Sequence, residues 1–154
     1  MKTTYYLLIL CLLFLTMDVS CKKMASSTTD INKEHQKLAE LGRIMHISFP
    51  SSARLLDYKH IHGMDNVILL KIEILREDIR ELINSSLFSD KVLRGPEDNP
   101  IPQISIIGPH WWKVKSVKKW KSGQVRLPDA KYLNILIDLD RQDKTNVYLE
   151  WFET

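Results

Sequence analysis

Two segments in the last third of the chain alternate apolar and polar side chains, and this pattern restricts the fold more than any other feature. Residues 133–139 carry leucine or isoleucine at every second position, and residues 147–151 carry valine, leucine and tryptophan in the same way. Because successive side chains of a β-strand point to opposite faces, a period of two is typical of a half-buried strand. The polar stretch Arg141–Asn146 lies between them. The sequence therefore predicts a strand pair here.

A second strand pair is predicted earlier in the chain. Ile68, Leu70, Ile72 and Ile74 alternate with their neighbours in the segment Val67–Leu75. The segment 56–62 also alternates, and a glycine-containing stretch between the two segments can form a turn. These observations favour a β-hairpin.

Two helices and one further short strand complete the predicted elements. Asp30 can cap a helix whose apolar residues, as far as Met45, recur on one face. Arg76–Leu87 places its apolar residues on one stripe, which is typical of a second amphipathic helix. Phe88–Gln103 contains several prolines and is predicted as a loop, whereas Ile104–Ile107 is predicted as a short strand.

The predicted elements define a fold class of α+β. The simplest arrangement of these elements is an antiparallel sheet of about four to five strands packed on two helices, in the order α-β-β-α-β-β. Residues 30–154 are long enough for a single α+β domain with its own core, and no internal repeat is visible.

The N-terminus has the layout of an export signal. Lys2 precedes the apolar run Tyr5–Met17, and Cys21 follows it closely. Thirteen residues of helix rise roughly 20 Å, which is short for a membrane span, although an uncleaved tilted anchor stays open. We therefore predict a signal peptide over residues 1–20, a lipidated Cys21, and a flexible tether that completes residues 21–29.

The cysteine count supports lipidation of Cys21. The only other cysteine, Cys11, lies inside the apolar run, so the remaining chain has no second thiol for a disulfide. A thioether-linked lipid would occupy the thiol and anchor the chain to a membrane. This predicts a lipid-anchored protein of the cell envelope, at the outer membrane if the host is Gram-negative; a plainly secreted protein is the alternative.

Two histidines form a weak candidate metal site. His60 and His62 are two residues apart on a predicted strand, so they point to the same face, and Asp65 follows with a carboxylate. A further nitrogen would have to come from His46, or from His35 or His110. The competing interpretation is a pair of histidines at the rim of the sheet.

A second candidate site combines tryptophan and lysine. Trp111, Trp112 and Trp120 are interleaved with several lysines, among them Lys113 and Lys119. If exposed, these side chains would form a binding surface that stacks on sugars or contacts anionic groups. The competing interpretation is that the indoles close the core and the lysines are a solvated face.

Composition and motifs give no support for catalysis. A net charge of +3 is too small to indicate a nucleic-acid partner. The sequence has no Gly-x-Ser-x-Gly, Walker or Rossmann motif, and we predict no cofactor and no catalytic residue. Whether the chain is an enzyme is left uncertain, with a non-enzyme favoured.

The C-terminal segments Tyr132–Asp138 and Val147–Phe152, taken with Trp111 and Trp112 upstream, resemble small uncharacterised bacterial lipoproteins. The resemblance extends over residues 47–152 and implies a location and a single domain, without a chemistry. The function expected is a module that binds a protein or an envelope polymer. Two alternatives stay open: an immunity-type inhibitor of an exported toxin, and a metal-dependent hydrolase that uses His60 and His62.

Overall fold

The computed structural model describes residues 31–63, 65–88 and 92–153. The predicted signal peptide, Cys21 and the tether lie outside the described residues. The chain divides into two compact units, Met1–Gln36 and Lys37–Thr154. Of the first unit only residues 31–36 are described, and they are helical. The fold below is that of the second unit.

The described elements are two helices and five strands. The first helix, α1, covers residues 31–45, and α2 follows a single 3-10 turn at Arg76–Asp78. A second 3-10 turn, Val114–Ser116, lies in the long irregular segment before the third strand. The remaining bounds are β1 Arg54–Ile61, β2 Val67–Leu75, α2 Ile79–Asn84, β3 Trp120–Leu127, β4 Lys131–Asp138 and β5 Lys144–Glu153.

All five strands belong to one antiparallel sheet with the order β1-β2-β5-β4-β3. The α+β class and both predicted strand pairs are confirmed, since β1 pairs with β2 and β4 pairs with β5. The second pair is joined to the first through β2 and β5, whose residues match from Val67↔Phe152 to Leu75↔Lys144. The two hairpins therefore meet at the centre of the sheet.

The structure differs from the prediction in three places. Trp120–Leu127, which was not predicted as a strand, forms β3 along the whole length of β4, so three strands follow α2 where the predicted order α-β-β-α-β-β has two. Ile104–Ile107 is irregular; Ile104 is buried, whereas Ile106 and Ile107 are exposed. The second helix ends at Asn84, so Leu87 is beyond the helix and 56% exposed.

One face of the sheet packs against the two helices. Leu38, Leu41 and Met45 of α1 and Leu82 of α2 belong to one buried cluster with the sheet. The sheet supplies the alternating residues that the sequence pattern indicates. These include Ile68, Leu70, Ile72 and Ile74 of β2, Leu133, Ile135 and Ile137 of β4, and Val147, Leu149 and Trp151 of β5.

The opposite face is covered by the mostly irregular residues 104–119, which precede β3 and are called the covering segment below. Leu69, Leu136 and Tyr148 lie on this face and form a second buried cluster. Its cover consists of Ile104, Trp112 and Val114, with Trp120 from the start of β3. Burial and the nearby Asp138 carboxylate raise the pKa of Tyr148 to about 12. The central strands are thus apolar on both faces, as expected for a sheet between two layers.

Candidate functional site

The structure places two of the three predicted surface indoles in the second core. Trp112 is 5% exposed and Trp120 is 6% exposed. The Trp112 Nε1–H donates a 2.7 Å hydrogen bond to the Ser105 carbonyl, and its ring meets the Tyr148 ring edge to face at 5.3 Å. These two indoles therefore close the core and do not form the predicted binding surface.

The remaining residues of that predicted surface are accessible, but they do not surround a stack of exposed indoles. Trp111 is half-buried and meets Trp112 edge to face at 5.6 Å, while Lys113 and Lys119 are exposed. The Asp140 carboxylate accepts hydrogen bonds from the backbone N–H groups of Lys118 and Lys119 at 2.9 and 2.8 Å. These bonds lower the pKa of Asp140 and fix the end of the covering segment beside β4.

The predicted histidine pair is brought together. His60 and His62 lie at the end of β1 and in the connection to β2, with ring centroids 3.7 Å apart and planes inclined at 41°. Asp65 is exposed in the same connection. Within residues 31–63, 65–88 and 92–153, however, no three His, Cys, Asp or Glu side chains are grouped closely enough to hold a metal ion. The described residues therefore give the histidine pair no complete set of metal ligands, and the hydrolase alternative stays a prediction.

The same two histidines line an open groove of about 510 Å³ on the helix side of the sheet. Arg43 of α1 and His46, directly after that helix, form one wall, and Lys131 of β4 forms another. Ile68 and Trp151 are the buried residues of its lining. His46 was expected from the sequence as a possible partner of the pair, whereas Arg43, Lys131 and Trp151 were not.

The backbone geometry at the end of α1 positions His46. The Ile47 N–H donates a 2.9 Å hydrogen bond to the Gly42 carbonyl, and His46 between them has a φ of +55°. This is a helix C-terminal cap in which glycine is the usual residue, because a side chain is strained at positive φ. Strain of this kind is often found where a side chain serves a function.

The polar groups at the groove differ in how fully they are hydrogen-bonded or ion-paired. The Lys131 ammonium is 3.5 Å from the Glu153 carboxylate, which also accepts a 2.9 Å hydrogen bond from the Asn66 amide. These contacts, led by the Asn66 hydrogen bond, lower the pKa of Glu153. By contrast, the Trp151 Nε1–H is buried and has no hydrogen-bond partner within the described part of the chain.

Strand β1 presents a second distinctive surface. It is at the edge of the sheet, and β2 is its only strand neighbour among the described residues. Leu56, Tyr58 and Ile61 are 42%, 42% and 39% exposed there. Its register with β2 shifts between Leu55 and Asp57 and is then regular from Tyr58 to Ile61. An open edge with accessible apolar side chains is suited to pairing with another chain.

Comparison with protein-family models, curated proteins and solved structures finds no match to this chain. No helix in the described ranges is long and apolar enough to cross a membrane. Its function is therefore inferred from the residues of the groove and of β1.

Proposed function

We propose that the chain is a lipid-anchored binding protein of the cell envelope, attached through Cys21, and that its domain binds a partner protein at the edge of β1. The observation that supports partner binding most directly is the exposure of Leu56, Tyr58 and Ile61 on an edge strand. Exposed apolar side chains grouped on one element, bordered by charges, are typical of protein interaction sites.

The occupant that fits this edge is an extended segment of the partner with acidic side chains. Tyr58–Ile61 pair with β2 residue by residue, so the other side of this segment can accept a further strand, which would have to displace the Asp57 carboxylate from the Tyr58 N–H. Arg54, Lys59 and His60 supply basic side chains on β1, whereas Asp57 is its only acidic residue. The Asp57 carboxylate already accepts a 2.9 Å hydrogen bond from the Tyr58 N–H. Charge complementarity therefore favours acidic over basic partners.

Peptide binding tests the edge proposal. Short peptides that alternate valine with glutamate should shift the amide resonances of Tyr58–Ile61, and the valine–lysine counterparts should bind about tenfold more weakly, which corresponds to roughly 1.4 kcal/mol. Ile61→Glu should weaken binding of the acidic peptide. Ile107→Glu, at an exposed isoleucine of the covering segment, is the matched control. Equal binding of both peptides, or equal losses in both variants, contradicts the proposal.

The anchor is tested separately. Mass spectrometry should show an acylated Cys21, and Cys21→Ser should move the protein from the membrane fraction to the soluble fraction. Wild-type protein found free in the medium would contradict lipid anchoring. That result would leave the peptide experiment unaffected, so the two parts of the proposal can fail independently.

A further inference from the structure

We infer that the groove beside the histidine pair binds a small anionic ligand through its carboxylate or phosphate oxygens. This inference follows from the groove lining and does not require the proposed partner surface, although His60 belongs to both. The groove residues that carry it are Arg43, His46, His60, His62, Lys131 and Trp151.

The charges at the groove favour an anion. Arg43, on α1, is exposed, and its Nε–H donates a 3.4 Å hydrogen bond to the Ala39 carbonyl. The terminal nitrogens of a guanidinium can donate to two oxygens at once. Three histidines approach the groove from two different elements. The Glu153 carboxylate, which contacts the groove residues Lys131 and Asn66 and lies near His60, is already engaged by the first two. The groove therefore offers unsatisfied donors to an anion and little to a cation.

The buried indole of Trp151 favours a ligand with acceptor oxygens. Trp151 is 6% exposed, lines the groove, and has a buried Nε1–H without a hydrogen-bond partner in the described chain. An indole nitrogen only donates, and leaving a buried donor unpaired typically costs about 1–3 kcal/mol. A ligand with acceptor oxygens that reaches this donor would satisfy it. A purely apolar ligand would not.

The histidine pair adds hydrogen-bond donors to the groove. The ring centroids of His60 and His62 are 3.7 Å apart, so the two imidazoles line the same part of it. An imidazole N–H can donate to a carboxylate or phosphate oxygen.

The strained backbone at His46 is consistent with this role. Glycine would relieve the positive φ at the end of α1, yet this position carries an imidazole that lines the groove. His46→Gly should therefore weaken anion binding and at the same time stabilise the fold. A residue with only a structural role would not show these opposite effects.

The test uses the full ¹⁵N-labelled chain in a neutral detergent, titrated with inorganic phosphate and with succinate, and with chloride at equal ionic strength as the control. The Trp151 indole N–H resonance, assigned with Trp151→Phe, should move with phosphate or succinate and stay unchanged with chloride. Whichever anion binds more tightly distinguishes a phosphate from a carboxylate ligand. A Trp151 resonance that moves equally in all three salts, or in none, overturns the inference.

Two variants locate the binding in the groove. Arg43→Gln should weaken it about tenfold, as expected for the loss of a charged hydrogen bond. Arg126→Gln removes an exposed arginine from β3, outside the groove lining, and should leave affinity unchanged. Equal losses in the two variants would show a nonspecific charge effect.

Discussion

Replacing Trp112 with phenylalanine tests whether the covering segment is a structural layer or a ligand surface. In the structure Trp112 packs in the second core between Trp111 and Tyr148, and its indole N–H is hydrogen-bonded to the Ser105 carbonyl. Phenylalanine keeps an aromatic ring at this position but removes the donor and part of the apolar area. The fold should lose stability while its topology is retained.

The expected loss is about 2 kcal/mol. The neutral hydrogen bond to Ser105 contributes about 1 kcal/mol, and because Ser105 is exposed its carbonyl can be rehydrated. The smaller ring buries roughly 40 Å² less apolar surface, which corresponds to about 1 kcal/mol at about 25 cal/mol per Å². Trp112→Ala would cost more, about 3–5 kcal/mol, because it also leaves a cavity.

Urea denaturation followed by circular dichroism measures this loss, and thermal denaturation should show a midpoint lower by roughly 4–8 °C. Trp111→Phe is the matched control, since Trp111 is only half-buried and should lose clearly less. If Trp112 were a surface side chain, its replacement would change stability by no more than about 0.5 kcal/mol. That result, or an equal loss in Trp111→Phe, would refute the assignment of Trp112 to the core.

Three further substitutions test other features of the fold. Glu73→Gln removes the partner of Lys144 and Arg141 at 2.8 and 3.5 Å, and should lower the free energy of unfolding by about 1 kcal/mol at neutral pH. The Lys144 hydrogen bond, with both positive charges, lowers the folded-state pKa of Glu73, so this stabilisation is present above the unfolded pKa of about 4.3 and lost as pH falls through the folded value. Urea titrations at several pH values should therefore show wild type and variant converging in acid, and a constant difference would contradict this. Ala130→Gly, in the turn between β3 and β4, relieves a φ of +58° and should raise the free energy of unfolding by about 0.5–1 kcal/mol, which is measured as a higher thermal midpoint. An unchanged or lower midpoint would contradict strain at this turn. His46→Gly should raise the thermal midpoint by a similar amount and weaken the binding of phosphate or succinate. If stability and affinity both rise, or both fall, the role given to His46 is contradicted.

The two hairpins could be predicted because their information is local. In β2, and in β4 with β5, the alternation of apolar side chains matches the pleat of the strand, and a polar connection follows each first strand. The α+β class follows from these strands together with the apolar faces of α1 and α2. Neither conclusion depends on how the two hairpins pair with each other.

Strand β3 could not be recognised in the same way. Trp120–Leu127 contains Lys121, Gly123 and Gln124, so its own pattern is weak, and its strand structure depends on pairing with β4. Gly123 also lies where a Cβ would be 3.0 Å from the Val92 carbonyl oxygen, so glycine there reflects a close approach from a distant part of the chain. That approach exists only in the folded domain.

The groove shows the same limitation at the level of function. The spacing of His60 and His62 was enough to predict that they lie together, but the described residues include no group of three His, Cys, Asp or Glu side chains close enough to hold a metal ion. The groove beside the pair is lined by Arg43, His46, Lys131 and Trp151, from three other elements. These residues carry no common motif in the sequence.

The sequence by itself determined the periodic elements, the α+β class and the expectation of an anchored Cys21, because each depends on residues close together along the chain. Tertiary structure alone decided that β5 lies between β2 and β4, that Trp112 and Trp120 are buried, and that a cationic groove forms beside the histidine pair. The physical reason is that strand order and the covering of the second face depend on contacts between distant segments. Those contacts are selected by packing and hydrogen bonding of the whole domain, and no local pattern records them.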